Sequence, residues 1–506
     1  MIMPKVRHSL NIGGWPLPVV YRWLLVVGFA YMPAATSLAM EFMAGVDISA
    51  LHLLQENGAT YSDNGVPGDP VEIMVDHGVN WARLRLFLDA DGQYLAVQDL
   101  EYTLQQALEI QAKAPDMKFL LDFHYSDTWA DPGKQYKPAA WAGQSGVQLR
   151  NTVRDYTRDT IIAFKDAGVM PDMVQIGNEI SNGMIWPDGS TSNWNNLAAL
   201  ISAGINGAKL GANDTSGSPA AAEPLMMIHT DKGGDQNATD NWLNQLLPRL
   251  QANGTDPDVI GVSYYPIWHY NGGAGNLAAL EANLNSIATE HNKPVVIAEA
   301  GFASRGGGST GWFEWPTQSE EVQRQYLEDM VAAVEGVEND MGWGVFWWYA
   351  EAVPTPGLPG EIWMDGRFGL FDQNGNLNDA IQAFEQFLPT PGDFNHDHVV
   401  NAADYTVWRD GLGSLYDASD YGDWVANFGS GSGSGGSGSG GSVNQSAVPE
   451  PASLGLLALG LVFLSPHRVR RLEFPAWLAH ANSAPGRPDS TTYVACVTMG
   501  ALGRPT

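Results

Sequence analysis

Eight short apolar runs recur along the chain, each followed by a polar loop and then by a longer amphipathic stretch. They are FMAGVDIS from Phe42, VNWARLRLF from Val79, KFLLDFHY from Lys118, DMVQIGNE from Asp172, LMMIHT from Leu225, VIGVSYY from Val259, PVVIAEAG from Pro294 and WGVFWWY from Trp343. Runs of this length read as strands. The periodic stretches between them, such as LEYTLQQALEIQAKA and TVRDYTRDTIIAFKDAG, read as helices, the second ending at Gly168 because glycine accepts the left-handed conformation that closes a helix. Eight βα units in succession predict an α/β fold, a (β/α)8 TIM barrel over residues 42–388. A doubly wound open sheet is the competing arrangement; it usually carries a glycine-rich phosphate turn after its first strand, and FMAGVDIS has none.

In such a barrel the chemistry lies at the C-terminal ends of the strands. The polar residues delivered there are Asp47, Arg83, Arg85, His124, Asn178, Glu179, His229, Tyr264, Tyr265 and Glu299. Glu179 follows VQIGN and Glu299 follows VVIA, so two buried strands bring two carboxylates to one rim. A single glutamate there is most simply a salt-bridge partner, but a pair with polar company suits glycosidic bond cleavage, in which one carboxyl protonates the leaving oxygen and the other attacks carbon or activates water. Asn178 is placed to bind a sugar hydroxyl, Arg83 to keep Glu299 ionised, and Tyr264 or Tyr265 to orient it. His124 and His229 either bind sugar hydroxyls or support the pair. Trp347 and Trp348 are candidates for the floor of the site.

One loop stands apart. HYSDTWADPGKQYKPAAW, His124 to Trp141, places Asp127, Asp131, Lys134 and Gln135 beside Trp129 and Trp141. Burying such groups unpaired costs several kcal/mol each, by rough estimate, so a core role is disfavoured and a cleft wall is expected. The 18 Trp, 17 Tyr and 17 Phe of the chain serve mostly as core, with sugar stacking as one further use. A formal charge of −30 argues against nucleic acid or anionic lipid as the main partner. The single cysteine, Cys496, rules out an internal disulfide and a cysteine nucleophile in the barrel.

The loop 124–141, the run VQIGNEISNGMIWP and the opening FMAGVDIS with GVNWARLRLF together resemble glycoside hydrolase family 53, the endo-β-1,4-galactanases, over residues 42–388. The resemblance implies a retaining enzyme without a catalytic cofactor. Glu179 would be the acid/base and Glu299 the nucleophile, with Arg83, His124, Trp129, Asn178, His229, Tyr264 and Trp348 binding substrate, the galactan of type I arabinogalactan. Where family members commonly read Glu-Thr and Tyr-Trp-Glu-Pro, this chain has Glu299-Ala300 and Trp347-Trp348-Tyr349-Ala350. Another retaining barrel glycosidase, a mannanase or glucanase, would share the carboxylates but not the loop. A non-catalytic carbohydrate-binding or scaffold protein should have lost a carboxylate, and both are present.

The ends carry further signals. Residues 1–39, with Lys5, Arg7 and Arg22, the run WLLVVGFAYM and the small residues of PAATSLAM, read as an export signal; a membrane anchor is the alternative. After Pro391, the oxygen-bearing side chains Asp393, Asn395, Asp397, Asn401 and Asp404 occupy positions 1, 3, 5, 9 and 12 of a loop, a spacing suited to a structural calcium. Residues 391–428 resemble a dockerin repeat, which implies a cohesin-like protein partner, although His398 stands where glycine is usual. A Gly/Ser spacer covers 429–447. Residues 448–471, with Pro-Glu-Pro, an apolar stretch and a basic cluster, resemble a PEP-CTERM tail read by sorting machinery at a bacterial membrane, and residues 472–506 follow without periodicity. An exported, secreted or surface-associated monomer is expected.

Overall fold

All eight apolar runs form strands: β1 Met43–Asp47, β2 Trp81–Leu86, β3 Lys118–Phe123, β4 Met173–Ile176, β5 Leu225–Thr230, β6 Val259–Tyr264, β7 Val295–Ala300 and β8 Gly342–Trp347. They pair in parallel and close into a barrel, each strand beside its sequence neighbour and β1 beside β8 through Met43 opposite Gly344. The fold is the (β/α)8 barrel expected from the pattern. It is a computed structural model that describes residues 40–270, 275–388, 390–395, 399–413 and 416–430. These fall in the first of the two units into which the chain divides, 1–437, while the second, 438–506, lies outside the described residues. The export-signal, linker, sorting-tail and final-segment assignments also fall outside them, apart from the first linker residues.

The helices that pack around the barrel include α1 Pro70–Asp76, α2 Leu100–Lys113, α3 Gly146–Asp166, α4 Trp194–Asn213, α5 Gln236–Ala252, α6 Leu277–Thr289, α7 Glu320–Glu335 and α8 Gln382–Glu385, with shorter ones at Leu51–Glu56 and Pro266–His269. Asp69, Asp99, Asn193, Asp235, Asn276 and Ser319 each accept an N–H of the first turn, worth roughly 1 kcal/mol apiece. α3 begins earlier than TVRDYTRD suggests because Leu149 continues the buried face of Val153 and Thr157. It ends as expected, with Gly168 at φ +85°.

Inside the barrel, alternate strand residues form two layers. The lower layer is apolar: Met43, Trp81, Leu120, Met173, Met227, Val259, Val296 and Phe346 are all buried together. Each large side chain there contributes about 1.5–3 kcal/mol by leaving water. Gly45 makes room for this filling, since a Cβ on it would lie 2.3 Å from the Phe346 ring. Two residues further along β2 to β5, the same inward face carries Arg83, Asp122, Gln175 and His229, all buried. The apolar layer thus plugs the barrel and the polar layer above it becomes the floor of a site.

Beyond the barrel, α9 Ala402–Gly411 and α10 Asp420–Asn427 pack through Tyr405, Tyr421 and the buried Trp424. Among the described residues no helix is long and apolar enough to cross a membrane.

Candidate active site

Arg83 organises the polar layer. Its Nη1 donates to Asp47 Oδ2 at 2.7 Å, and its Nη2 to Asp122 Oδ2 at 2.8 Å and Asn178 Oδ1 at 2.9 Å. The same Nη2 lies 2.8 Å from Glu299 Oε1. Three buried carboxylates around one guanidinium hold its pKa above the ordinary arginine value despite burial, which pulls the other way. Burial opposes ionisation of Asp122, yet Arg83 and His124 bring its carboxyl below the usual value.

Glu299 reaches the interior through an irregularity. β7 holds one residue more than both neighbours at this point: Val262 pairs with Ile297 but Ser263 with Glu299, and Val345 pairs with Ile297 but Trp347 with Ala300. Strict alternation therefore breaks, and Glu299 points inward just above the interior residue Ala298. The Tyr265 hydroxyl donates to its Oε2 at 3.1 Å. Burial raises the Glu299 pKa, Arg83 opposes that rise, and Asp122 and Asp47 add to it.

Glu179 sits at the end of β4 in the left-handed region, φ 47° and ψ 52°, a conformation that costs about 1–2 kcal/mol for a residue with a side chain. Neighbours hold it there: Gln135 Nε2 donates to Asn178 O at 2.7 Å, and Asn178 Nδ2 to Ala130 O at 2.9 Å. Ser263 Oγ donates to Glu179 Oε1 at 2.7 Å. Burial first, and the negative charge of Glu299 second, push the Glu179 carboxyl well above the usual range, with the Ser263 hydrogen bond opposing.

The remaining predicted residues divide into those at the cleft and those behind it. Trp348 is half-buried, with its ring centroid 6.3 Å from that of Trp129 and 6.3 Å from that of Tyr265. Trp129 is braced by Arg85, whose Cζ lies 4.3 Å from the ring centroid. His124 lies behind this wall, its Nε2 3.0 Å from Asp122 Oδ2 and its Nδ1 accepting the Ala130 N–H at 3.1 Å. Both ring nitrogens are thus engaged within the protein. His229 is likewise buried, with Nε2 2.9 Å from Ser263 Oγ; burial and the charge of Arg83 push its pKa well below the usual value. Asn178 spends its oxygen on Arg83 and one N–H on Ala130, which leaves its second N–H for a sugar hydroxyl.

Two aromatic assignments need correction. Tyr264, expected to bind substrate, points outward: its hydroxyl donates to Gly275 O at 2.7 Å and its ring stacks on His269. Tyr265, the next residue, is the one that reaches Glu299. Trp347 is also outside the floor, fully buried in the helix layer with Nε1 donating to Phe368 O at 2.7 Å. Strand alternation gives one aromatic of each pair to the outer layer, and the sequence does not say which. The polar residues of the 124–141 loop also serve the loop itself: Asp127 accepts the Ala139 N–H at 2.8 Å, Asp131 Oδ1 accepts the Gly133 N–H at 2.7 Å and Gln135 Nε2 donates to Asp131 O at 3.2 Å. Asp122, Gln175 and Ser263 were not singled out as site residues, although a polar residue inside an apolar strand was a signal for each.

In the second module, Asp404 accepts the N–H groups of Asn395 at 3.1 Å and Asn401 at 2.7 Å and completes a capping box at the start of α9. Asp397 lies outside the described residues, and among the described ones no three His, Cys, Asp or Glu side chains gather as metal ligands.

A closed parallel barrel with two differently partnered glutamates at its C-terminal rim, Glu299 buried and Glu179 half-buried, defines a glycoside hydrolase. Residues 43–384 match the model of glycosyl hydrolase family 53, and residues 447–468 match the PEP-CTERM protein-sorting motif. The chain is 34% identical over 333 residues to arabinogalactan endo-beta-1,4-galactanase A of Aspergillus niger, covering 63% of this chain and 87% of that one. Its fold matches the GH53 catalytic domain of Ignisphaera aggregans with a TM-score of 0.59 and 31% identity, over 68% of this chain and 95% of that one. It matches a fungal beta-1,4-galactanase structure with a TM-score of 0.58 and 27% identity, over 69% of this chain and all of that one, 100%. The protein belongs to glycosyl hydrolase family 53.

Proposed function

We propose that this chain is an exported endo-β-1,4-galactanase that cleaves galactan, as in type I arabinogalactan, by a retaining double displacement. The observation that carries the assignment of roles is the asymmetry between the two glutamates: Glu299 has Arg83 at 2.8 Å, whereas the side-chain partner of Glu179 is the Ser263 hydroxyl at 2.7 Å. Environments that push two carboxyl pKa values apart divide acid from nucleophile.

In the first step a Glu299 oxygen attacks the anomeric carbon while Glu179 gives its proton to the departing glycosidic oxygen. The bond from carbon to the leaving sugar breaks and an ester to Glu299 forms. In the second step water loses a proton to the Glu179 carboxylate and displaces Glu299, returning both groups to their starting forms. Arg83 and Tyr265 hold the two oxygens of Glu299, and Trp348 and Trp129 wall the site with faces that stack on sugar rings.

The sorting motif supports display at a bacterial surface. A structural calcium in the 393–404 loop, and with it a cohesin-like partner, rests on the spacing of its oxygen-bearing side chains; a rise in melting temperature with added calcium, reversed by chelator, is the check. The central test is product analysis on galactan, mannan and β-glucan, with NMR detection of the anomer first released. Galactan oligosaccharides of retained configuration are expected. Cleavage of mannan but not galactan would overturn the substrate, and an inverted product the mechanism.

A further inference from the structure

Ser263 is buried in β6 at the point where the register slips, opposite Glu299 and bonded to Glu179. It is thus the residue that touches the surroundings of both carboxylates. Its hydroxyl is itself held in place. His229 Nδ1 lies 3.0 Å from Asn178 Oδ1, 3.2 Å from Gln175 Nε2 and 3.4 Å from the Glu179 N–H donor. Its Nε2 lies 2.9 Å from Ser263 Oγ. The Ser263 hydroxyl, so braced, donates to the ionised Glu179 at Oε1, 2.7 Å away. His229 accordingly grips Glu179 at both ends, at the backbone directly and at the side chain through Ser263.

We propose that Ser263 is a positioning residue for acid/base cycling: by donating to Oε1 of Glu179 it leaves Oε2 to carry the proton that is delivered to, and later taken back from, the reacting oxygen. The proposal rests on Glu179 being the acid/base. The groups acting on Glu179 are Glu299 from β7, Asp231 after β5, Asp131 in the 124–141 loop and Ser263 itself, together with the Tyr265 hydroxyl. Of these, Ser263 favours the ionised form through its hydrogen bond to Oε1, so its removal should move the titration of Glu179 upward.

The test uses the full-length protein with Ser263→Ala, Ser263→Thr and Glu179→Gln. Substrates are galactan and a dinitrophenyl β-1,4-galactobioside, whose leaving group needs no proton. For Ser263→Ala the alkaline limb of kcat/KM on galactan should move up by about one pH unit. Its kcat on galactan should fall about tenfold while release of dinitrophenol from the aryl substrate falls much less. Ser263→Thr, which keeps the hydroxyl, should restore the wild-type limb. Ser263→Cys, nearly isosteric with a weak donor, carries the alanine expectation if that variant does not fold. An unmoved alkaline limb, or equal losses on both substrates, would overturn the proposal. Glu179→Gln separates this from the underlying reading: if it keeps full activity on galactan, the acid/base assignment itself fails, whatever Ser263 does.

Discussion

Arg83 Nη2 lies 2.8 Å from Glu299 Oε1, and the same guanidinium is bound to Asp47 and Asp122 at 2.7 and 2.8 Å. One cation thus neutralises part of a cluster of three buried carboxylates while holding Glu299. Removing one partner of a buried ionic cluster strands the others, at a cost of about 3–5 kcal/mol. Arg83→Met is expected to lower the unfolding free energy read from urea titration by that amount, about 3–5 kcal/mol, and to abolish turnover. Arg83→Lys should recover stability in part and activity poorly, because a single ammonium cannot span Asp47, Asp122 and Glu299 as the planar fork does. Urea titration and galactan assays read the two effects separately.

Both glutamates have raised pKa values, Glu179 well above the ordinary value and Glu299 above it. The proposed double displacement requires Glu299 ionised and Glu179 protonated. Activity should therefore rise with pH as Glu299 loses its proton and fall again as Glu179 loses its own. Both midpoints of the kcat/KM profile are expected above the reference carboxyl value of 4.5, and Glu299→Ala should remove activity across the whole range. A profile with its alkaline midpoint in the ordinary carboxylate range would contradict the burial of Glu179. Glu179→Gln should lower kcat on galactan about 10²–10⁴-fold.

Glu351 is fully buried in the loop after β8, its Oε1 accepting the Ala50 N–H at 2.8 Å. Burial and then the charge of Asp47 push its pKa up to about 8, with Arg85 opposing. The unfolded chain releases this proton near 4.5 and the folded chain keeps it to about 8, so over that interval the folded state binds the extra proton and stability falls as pH rises. Glu351→Gln keeps the acceptor for Ala50 and cannot ionise. Its melting temperature should match the wild type at acid pH and exceed it by a growing margin toward pH 8. A constant difference across pH would show that Glu351 does not titrate in this way.

Trp129 meets Trp348 across the cleft and is backed by Arg85. Trp129→Ala should raise KM on galactan about three- to tenfold with a smaller change in kcat, since it removes stacking area but none of the groups that transfer protons. Steady-state kinetics on galactan separate the two constants.

The barrel was legible because eight apolar runs with amphipathic intervals leave few other solutions. The two glutamates were legible because each ends a buried run. Arg83 was read as the partner of Glu299, and its Nη2 lies 2.8 Å from Glu299 Oε1, although it sits within β2 rather than at its end. The supporting shell was harder to see: Asp122 and Gln175 sit inside apolar strands, and Ser263 in VIGVSYY resembles any small strand residue. The choice of Tyr264 over Tyr265 failed at this level, and the run alone did not separate Trp347 from Trp348, because a one-residue change in which face points inward moves an aromatic ring from the site to the helix layer.

Local pattern alone determined that this chain forms strands that alternate with helices, and which rim receives the acidic residues, since hydrophobic period and strand-end position are properties of neighbours in sequence. The tertiary structure decided which carboxylate meets the guanidinium and which meets a hydroxyl. It also decided that an extra residue in β7 turns Glu299 inward and that Gln135 and Asn178 tie the 124–141 loop to Glu179. Those relations depend on register between strands far apart in the chain, and register is set only when the barrel closes.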